Sequence, residues 1–174
     1  MELFFEEKQK IRQKWLIGIV LFSSAVIIIV FGYGIYNQIF LGKPFGNNPS
    51  SDSGLIAISF LMLFVAVGIP MLLLGSYLEI KVFQDGIYFR YIPFIRKFRR
   101  INFAAIQSFV IRKYKPIREF GGWGIRFGFK EKSIMYNVSG NMGIELVLKD
   151  GKKIILGTQR PEELQAALTK ASAK

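Results

Sequence analysis

Basic side chains are concentrated in one stretch of the sequence, between Gly86 and Arg118, which contains no Asp or Glu. The stretch holds nine of them: Arg90, Arg96, Lys97, Arg99, Arg100, Arg112, Lys113, Lys115 and Arg118. Cations clustered in this way can contact anionic lipid headgroups, at about 1 kcal/mol each close to the membrane surface. They can equally form a solvated basic face that only sets membrane topology. The sequence leaves open whether the stretch orients the chain on lipid, forms a specific headgroup pocket or does neither.

Eight of these residues are candidates for contact with lipid headgroups. Four follow closely after the second of two long uncharged segments, and these are Arg96, Lys97, Arg99 and Arg100. The other four come later in the same stretch, and these are Arg112, Lys113, Lys115 and Arg118.

Side chains suited to catalysis are scarce in this sequence. It contains no Cys and no His, which excludes thiol catalysis, disulfide bonds, imidazole bases and nearly all zinc sites. The adjacent carboxylates Glu162 and Glu163 stand at the start of a predicted helix, where they complement the helix dipole. No other pair of acids suggests general acid–base chemistry. We therefore expect no enzymatic activity, no cofactor and no metal.

Two long uncharged segments, residues 15–36 and 55–78, are predicted to cross a membrane as helices. Both are apolar on every helical face, whereas a surface helix is apolar on one side only. At a rise of 1.5 Å per residue, each is longer than the hydrocarbon layer of about 30 Å. The first is too long for the apolar core of a cleaved signal peptide. Neither contains Asp, Glu, Lys, Arg or His, which disfavours an ion pump or ion-coupled transporter.

The Lys and Arg residues that flank these segments predict their orientation. The residues before the first segment include Lys8, Lys10, Arg12 and Lys14, whereas the connecting loop contains only Lys43. A further cluster of basic residues follows the second segment. Because cytoplasmic flanks carry the excess of positive charge, we predict a multi-pass protein of the cell membrane with both termini in the cytoplasm.

Residues 79–174 are predicted to form one small domain of about seven short antiparallel strands and a C-terminal helix. Ile80 and Val82 alternate with Glu79 and Lys81, and residues 123–130 alternate strictly up to Lys130. The dipeptide Asp150-Gly151 is typical of a tight hairpin. From Pro161 onward the spacing of apolar residues changes to that of an amphipathic helix. The pattern predicts a curled antiparallel sheet closed by this helix.

The local sequence also resembles a known group of proteins. The resemblance lies in Gly121-Gly-Trp-Gly-Ile-Arg126, Tyr136-Asn-Val-Ser-Gly-Asn141 and the segments 143–151 and 155–164. These resemble small, largely uncharacterised bacterial membrane proteins in which a transmembrane helix pair precedes a bacterial PH-like domain. The resemblance implies a PH-like antiparallel β-barrel closed by a C-terminal helix, and it implies no enzymatic activity.

Together these features predict an α+β membrane protein in three parts. Residues 1–14 are a cytoplasmic N-terminal tail, residues 15–78 a transmembrane helical hairpin and residues 79–174 a cytoplasmic PH-like domain. We expect a non-enzymatic interaction module that presents this basic domain at the inner membrane surface. The alternatives are a structural or accessory subunit of a larger membrane complex and a small transporter or channel component.

The expected partners follow from the same features. They are the lipid bilayer, anionic lipid headgroups and a membrane or cytoplasmic protein. No RRM-type aromatic motif or helix-turn-helix is found, so we expect no nucleic-acid partner.

Overall fold

The computed structural model describes residues 2–129 and 132–172, which form two compact units. The helical pair comprises residues 13–74, and the sheet domain comprises residues 1–12 together with residues 75–174. Lys130, the last position of the predicted strand at residues 123–130, lies outside the described residues. The sheet domain thus includes residues on both sides of the helical pair, and it extends beyond the predicted domain of residues 79–174.

The helical pair consists of α1, Lys14–Ile35, and α2, Asp52–Gly75. The first helix continues into a π-helical turn at Tyr36–Phe40. Both helices are long and apolar enough to cross a membrane. The second ends at Gly75, earlier than the uncharged segment, which runs to Leu78. The last apolar residues of that segment belong to a strand, in which Leu78, Ile80 and Val82 are all buried.

The first sheet of the sheet domain is antiparallel, with strand order β1-β2-β3-β4. Its strands are β1 (Leu3–Lys10), β2 (Tyr77–Phe83), β3 (Gly86–Ile92) and β4 (Ile95–Asn102). Sequence analysis did not identify β1, because two of its three buried positions carry the polar residues Glu7 and Gln9. Only Phe5 supplies the apolar signal of an inward-facing strand residue.

The second sheet has the order β5-β8-β9-β7-β6. Its strands are β5 (Ile106–Lys113), β6 (Gly124–Phe127), β7 (Ser133–Asn137), β8 (Met142–Leu148) and β9 (Lys153–Gly157). A 3₁₀ turn at Phe103–Ala105 separates β4 from β5, and a short helix, α3 (Pro116–Phe120), follows β5. All pairs are antiparallel except β7 and β9, which are parallel.

The prediction of a closed antiparallel barrel is wrong. Among the described residues the strands form two separate sheets, and one strand pair is parallel. The chain leaves the first sheet at β4 and enters the second at β5, so both strands are edges. Alternation along the sequence identifies strands but not their partners, and it therefore could not distinguish an open pair of sheets from a barrel. The coarser prediction of an α+β protein is confirmed.

The two sheets and the C-terminal helix α4 (Pro161–Ser172) share one hydrophobic core. Ile80 and Phe89 enter it from the first sheet, and Leu146 and Leu156 enter it from the second. From α4 the core receives Leu164, Ala167, Leu168 and Ala171, which are the positions that the helical spacing predicted. Burial of a leucine-sized side chain contributes about 1.5–3 kcal/mol, so these four positions hold α4 against the sheets.

Candidate functional site

The strand β4 is an edge strand with a continuous row of exposed, mostly basic side chains. Residues 96–100 are all exposed, and four of the five are Arg or Lys. Arg99 pairs with Phe89 and Ile95 pairs with Tyr91, so residues 96–98 bulge opposite Arg90 alone. A bulge of this kind turns side chains away from the regular ladder. Charged side chains also protect an edge strand from pairing with other chains.

Three of the basic side chains on β4 form no ion pair with any residue that the structure describes. Within residues 2–129 and 132–172, Arg96, Lys97 and Arg99 have no carboxylate oxygen within 4.0 Å of their nitrogen atoms. Arg100 differs, because its Nη1 atom donates to Oδ2 of Asp85 at 2.9 Å. The positive charge of β4 is therefore concentrated on Arg96, Lys97 and Arg99.

Asp85 is an anchor for the β2–β3 turn as well as for Arg100. The hydroxyl of Tyr88 donates to Oδ2 of Asp85 at 2.6 Å. This hydrogen bond, followed by a backbone hydrogen bond and then by Arg100, holds the pKa of Asp85 below its usual value. The carboxylate therefore stays ionised and keeps Arg100 paired, which distinguishes Arg100 from its three neighbours.

A group of paired charges lies beside this edge on β1, β2 and β3. Arg90 donates from Nε to Oε2 of Glu79 at 2.8 Å, and Nζ of Lys81 lies 2.9 Å from Oε1 of Glu6. The ring of Phe98 on β4 lies 4.6 Å from the guanidinium carbon of Arg90 and 5.5 Å from Nζ of Lys81. The two acids and two cations neutralise one another, so this region adds little net charge to that of β4.

One end of the first sheet brings together the junctions to both helices and the β3–β4 turn. Lys10, at the end of β1, pairs with Tyr77, at the start of β2. Tyr77 in turn pairs with Ile92, at the end of β3. The β3–β4 turn follows at once, and its Phe94 side chain is 67% exposed. The connections from β1 to α1 and from α2 to β2 therefore start at the same end of the sheet as the β3–β4 turn with Phe94.

The second group of predicted site residues surrounds α3 and is partly neutralised. Arg112 donates from Nε to Oε2 of Glu145 at 2.6 Å and from Nη1 to Oε2 of Glu119 at 3.1 Å. Burial lowers the pKa of Arg112, but the hydrogen bonds with Glu145 and Glu119 outweigh it, and the pKa rises. The charge of Arg112 is thus neutralised by carboxylates of the same domain.

The other three members of the second group, Lys113, Lys115 and Arg118, are exposed. Lys115 and Arg118 border an open groove of about 760 Å³ together with Arg112 and its two carboxylates. The described residues do not bring this group onto β4, since it belongs to the end of β5 and to α3. The structure therefore presents the eight predicted residues as two separate groups.

The comparison with known families places the whole chain in one family. The family described as "Family of unknown function (DUF6141)" matches residues 1–174. The chain belongs to this DUF6141 family. No curated protein and no solved structure matches the chain at a significant level. The family match spans the helical pair and the sheet domain, and its description assigns neither an activity nor a ligand.

In this DUF6141 chain, Phe94 is a surface residue that sequence analysis missed. Its signal was present in the sequence as Pro93-Phe94 between two alternating segments, one residue before Arg96 and Lys97. An aromatic residue in a turn is not by itself informative, because single exposed apolar side chains are common. Only the strand register shows that this turn shares a sheet end with the two helix junctions.

Proposed function

We propose that the protein is a membrane-anchored, non-enzymatic interaction module. In this proposal α1 and α2 cross the membrane, and both termini lie in the cytoplasm. The sheet domain, PH-like by its sequence resemblance, stays at the inner surface and presents β4 to anionic lipid headgroups. Arg96, Lys97 and Arg99 supply the contact.

The observation that carries this proposal is the pairing of β1 with β2. Seven residue pairs, from Leu3 with Phe83 to Lys10 with Tyr77, join the segment before α1 to the segment after α2. Strands of one sheet must lie in one compartment, so the two helices together must cross the membrane an even number of times. This supports a two-span topology, and the basic residues on both flanks favour the cytoplasmic side.

The charge of β4 is suited to orientation rather than attachment. Three unpaired cations near a negative surface would contribute about 3 kcal/mol, at about 1 kcal/mol for each. Two spanning helices already hold a protein in the bilayer almost irreversibly. Since these cations are not needed for attachment, their interaction with lipid can favour one orientation of the sheet domain and enrich anionic lipids around it.

The PH-like part of the proposal is supported by the resemblance and by the position of α4. This helix packs against β1, β2 and β8, so a single C-terminal helix covers strands of both sheets. The two open sheets differ from the closed barrel that the resemblance implies. No lipid specificity is carried over, because a fold does not determine its ligand.

The proposal is tested on the full chain, reconstituted in vesicles with and without anionic lipid. The chain has no Cys, so Lys97→Cys gives one labelling site for a fluorophore whose quencher is attached to lipid headgroups. We expect quenching in anionic vesicles that weakens at high salt. Adding Arg96→Glu and Arg99→Glu should reduce it severalfold.

A matched control changes the same amount of charge elsewhere. Lys132 and Lys149 are exposed residues of the second sheet region, and Lys132→Glu with Lys149→Glu should leave the quenching unchanged. If quenching at position 97 is absent, or does not respond to Arg96→Glu and Arg99→Glu, β4 does not contact lipid. That result would favour a protein partner for this surface.

A further inference from the structure

We propose that the β3–β4 turn inserts the side chain of Phe94 into the interfacial layer of an anionic bilayer. Arg96 and Lys97 would then meet lipid phosphates beside it. The inference rests on the proposed function, because it requires α1 and α2 to cross the membrane. It adds an apolar contact and a defined point of entry to a surface that otherwise acts by charge alone.

The first argument is the position of the turn within the sheet. Tyr77 pairs with Lys10 on one side and with Ile92 on the other, so Phe94 follows two residues beyond this row. Neighbouring strands lie about 4.8 Å apart, which places the β3–β4 turn within roughly 10 Å of the start of β2. The turn is therefore at the sheet end through which the chain connects to both helices.

The second argument is the short length of those connections. Only Ser76 lies between α2 and β2, and residues 11–13 lie between β1 and α1. One extended residue spans at most about 3.6 Å, so the chain spans at most about 7 Å from Gly75 to Tyr77 and about 14 Å from Lys10 to Lys14. The headgroup layer of a bilayer is about 5–8 Å thick on each side. A turn at this sheet end is within reach of that layer.

The third argument is the chemistry of the turn. Phe94 is 67% exposed, and its ring lies 6.3 Å from the ring of the buried Tyr91, which supports its base. Arg96, Lys97 and Arg99 follow, and no carboxylate of residues 2–129 or 132–172 lies within 4.0 Å of their nitrogen atoms. An apolar aromatic tip flanked by cations matches the apolar boundary and the negative headgroups of an anionic membrane. Tyr77, with Nζ of Lys8 4.1 Å from its ring centroid, adds a second aromatic and cation at the same end.

A second exposed phenylalanine of the sheet domain serves as a control for Phe94. Phe127 is 72% exposed, similar to Phe94, but it ends β6 at the edge of the second sheet. No unpaired row of cations like that of β4 continues from it within the described residues 124–129. Exposure alone would make the two residues equivalent, whereas our inference applies to Phe94 only.

The test uses single-cysteine variants of the full chain in lipid nanodiscs with anionic lipid. Phe94→Cys and Phe127→Cys are each labelled with an environment-sensitive fluorophore, and the lipid acyl chains carry bromine near the carbonyl groups. We expect blue-shifted emission and at least twofold quenching at position 94, with neither at position 127. A second measurement uses the label at Lys97→Cys with headgroup quenchers. Phe94→Ser should weaken that quenching, and Phe94→Trp should preserve it.

The outcomes separate this inference from the proposed function. If the label at position 97 is quenched by headgroups while the label at position 94 behaves like that at 127, the insertion of Phe94 is wrong and the charge contact stands. If neither position 94 nor position 97 is quenched, both proposals fail. Quenching at position 94 that persists unchanged in zwitterionic nanodiscs would overturn the requirement for anionic lipid.

Discussion

A buried carboxylate on β1 is hydrogen-bonded to the segment between β9 and α4. Glu7 is 6% exposed, and its carboxylate accepts hydrogen bonds from Oγ1 of Thr158 at 2.6 Å and from the backbone N–H of Gln159 at 2.8 Å. The neighbouring inward residue, Gln9, donates from Nε2 to the carbonyl oxygen of Gly157 at 2.6 Å. A buried polar group is tolerated when it is hydrogen-bonded in this way. These contacts explain why polar residues occupy inward positions of β1.

Replacement of Glu7 tests this network. We expect Glu7→Ala to lower the free energy of unfolding of the sheet domain by about 2–3 kcal/mol, because buried donors lose a charged acceptor. Glu7→Gln, which keeps one acceptor oxygen, should cost less. In a Trp15→Phe background, Trp123 is the remaining tryptophan and reports unfolding of this domain in detergent. Glu6→Ala is the control, since the exposed ion pair of Glu6 with Lys81 should contribute under about 1 kcal/mol. Equal losses for Glu6→Ala and Glu7→Ala would contradict a special role for Glu7.

The sequence predicts which residues lie close together only when they are neighbours within one strand or helix. Arg96, Lys97 and Arg99 lie together because they share one strand, and adjacency in the sequence is enough to group them. The pairing of Arg112 with Glu145 depends on the register of β5 against β8, in which Arg112 stands opposite Gly143. No pattern in the sequence encodes that register. The partial neutralisation of the second group was therefore not predictable.

The helices and strands differ in how well the sequence predicts them. The helix α4 was predictable because its four buried residues have helical spacing and Pro161 stands at its start. Strand β1 was not, because Glu7 and Gln9 replace the apolar residues that alternation requires. The boundary between α2 and β2 was misplaced for the opposite reason. There an apolar helix is followed by a strand with buried apolar residues, and only Ser76, with no charged residue, separates the two.

The contribution of β1 leads to a prediction about fragments. The fragment 79–174 lacks Phe5, Glu7 and Gln9 of β1 and also Leu78 of β2, all of them buried. We expect this fragment to be unfolded or aggregated, because the open edge of β2 exposes a backbone ladder and apolar core. A chain that joins residues 1–10 to residues 77–172 through a short Gly/Ser linker should fold, since Lys10 and Tyr77 are paired neighbours.

The two fragments are compared by circular dichroism and by the dispersion of amide signals in NMR spectra. The linked chain should give a cooperative thermal transition, and the fragment 79–174 should give none. A cooperative transition at the same temperature in both would show that β1 is dispensable.

For the whole molecule, the pairing of β1 with β2 restricts where the two flanks of the helical pair can lie. The segments before α1 and after α2 form one sheet, so they cannot lie on opposite sides of a membrane. The excess of Lys and Arg residues in both flanks predicts that they share the cytoplasmic side, and this prediction uses a different physical principle. Charge predicts which compartment the flanks occupy, whereas the strand pairing requires only that they share it.

Single-cysteine labelling tests this topology in intact cells with a membrane-impermeant thiol reagent. We expect Lys43→Cys, in the loop between the helices, to be labelled from outside. Glu2→Cys and Lys149→Cys should react only after permeabilisation. Labelling of both flank positions from outside would invert the predicted orientation but keep the strand pairing. Labelling of only one of the two would contradict the pairing itself.

The order of the strands along the chain has a consequence for biosynthesis. Translation produces β1 first, yet its partner β2 emerges from the ribosome only after both apolar helices have been made. In the nascent chain β1 therefore remains without its partner strand until α1, α2 and β2 have been synthesised. If α1 and α2 cross a membrane as we propose, a chain in which only one helix inserts leaves β1 and β2 on opposite sides. The core of its sheet domain stays incomplete and is exposed to proteases.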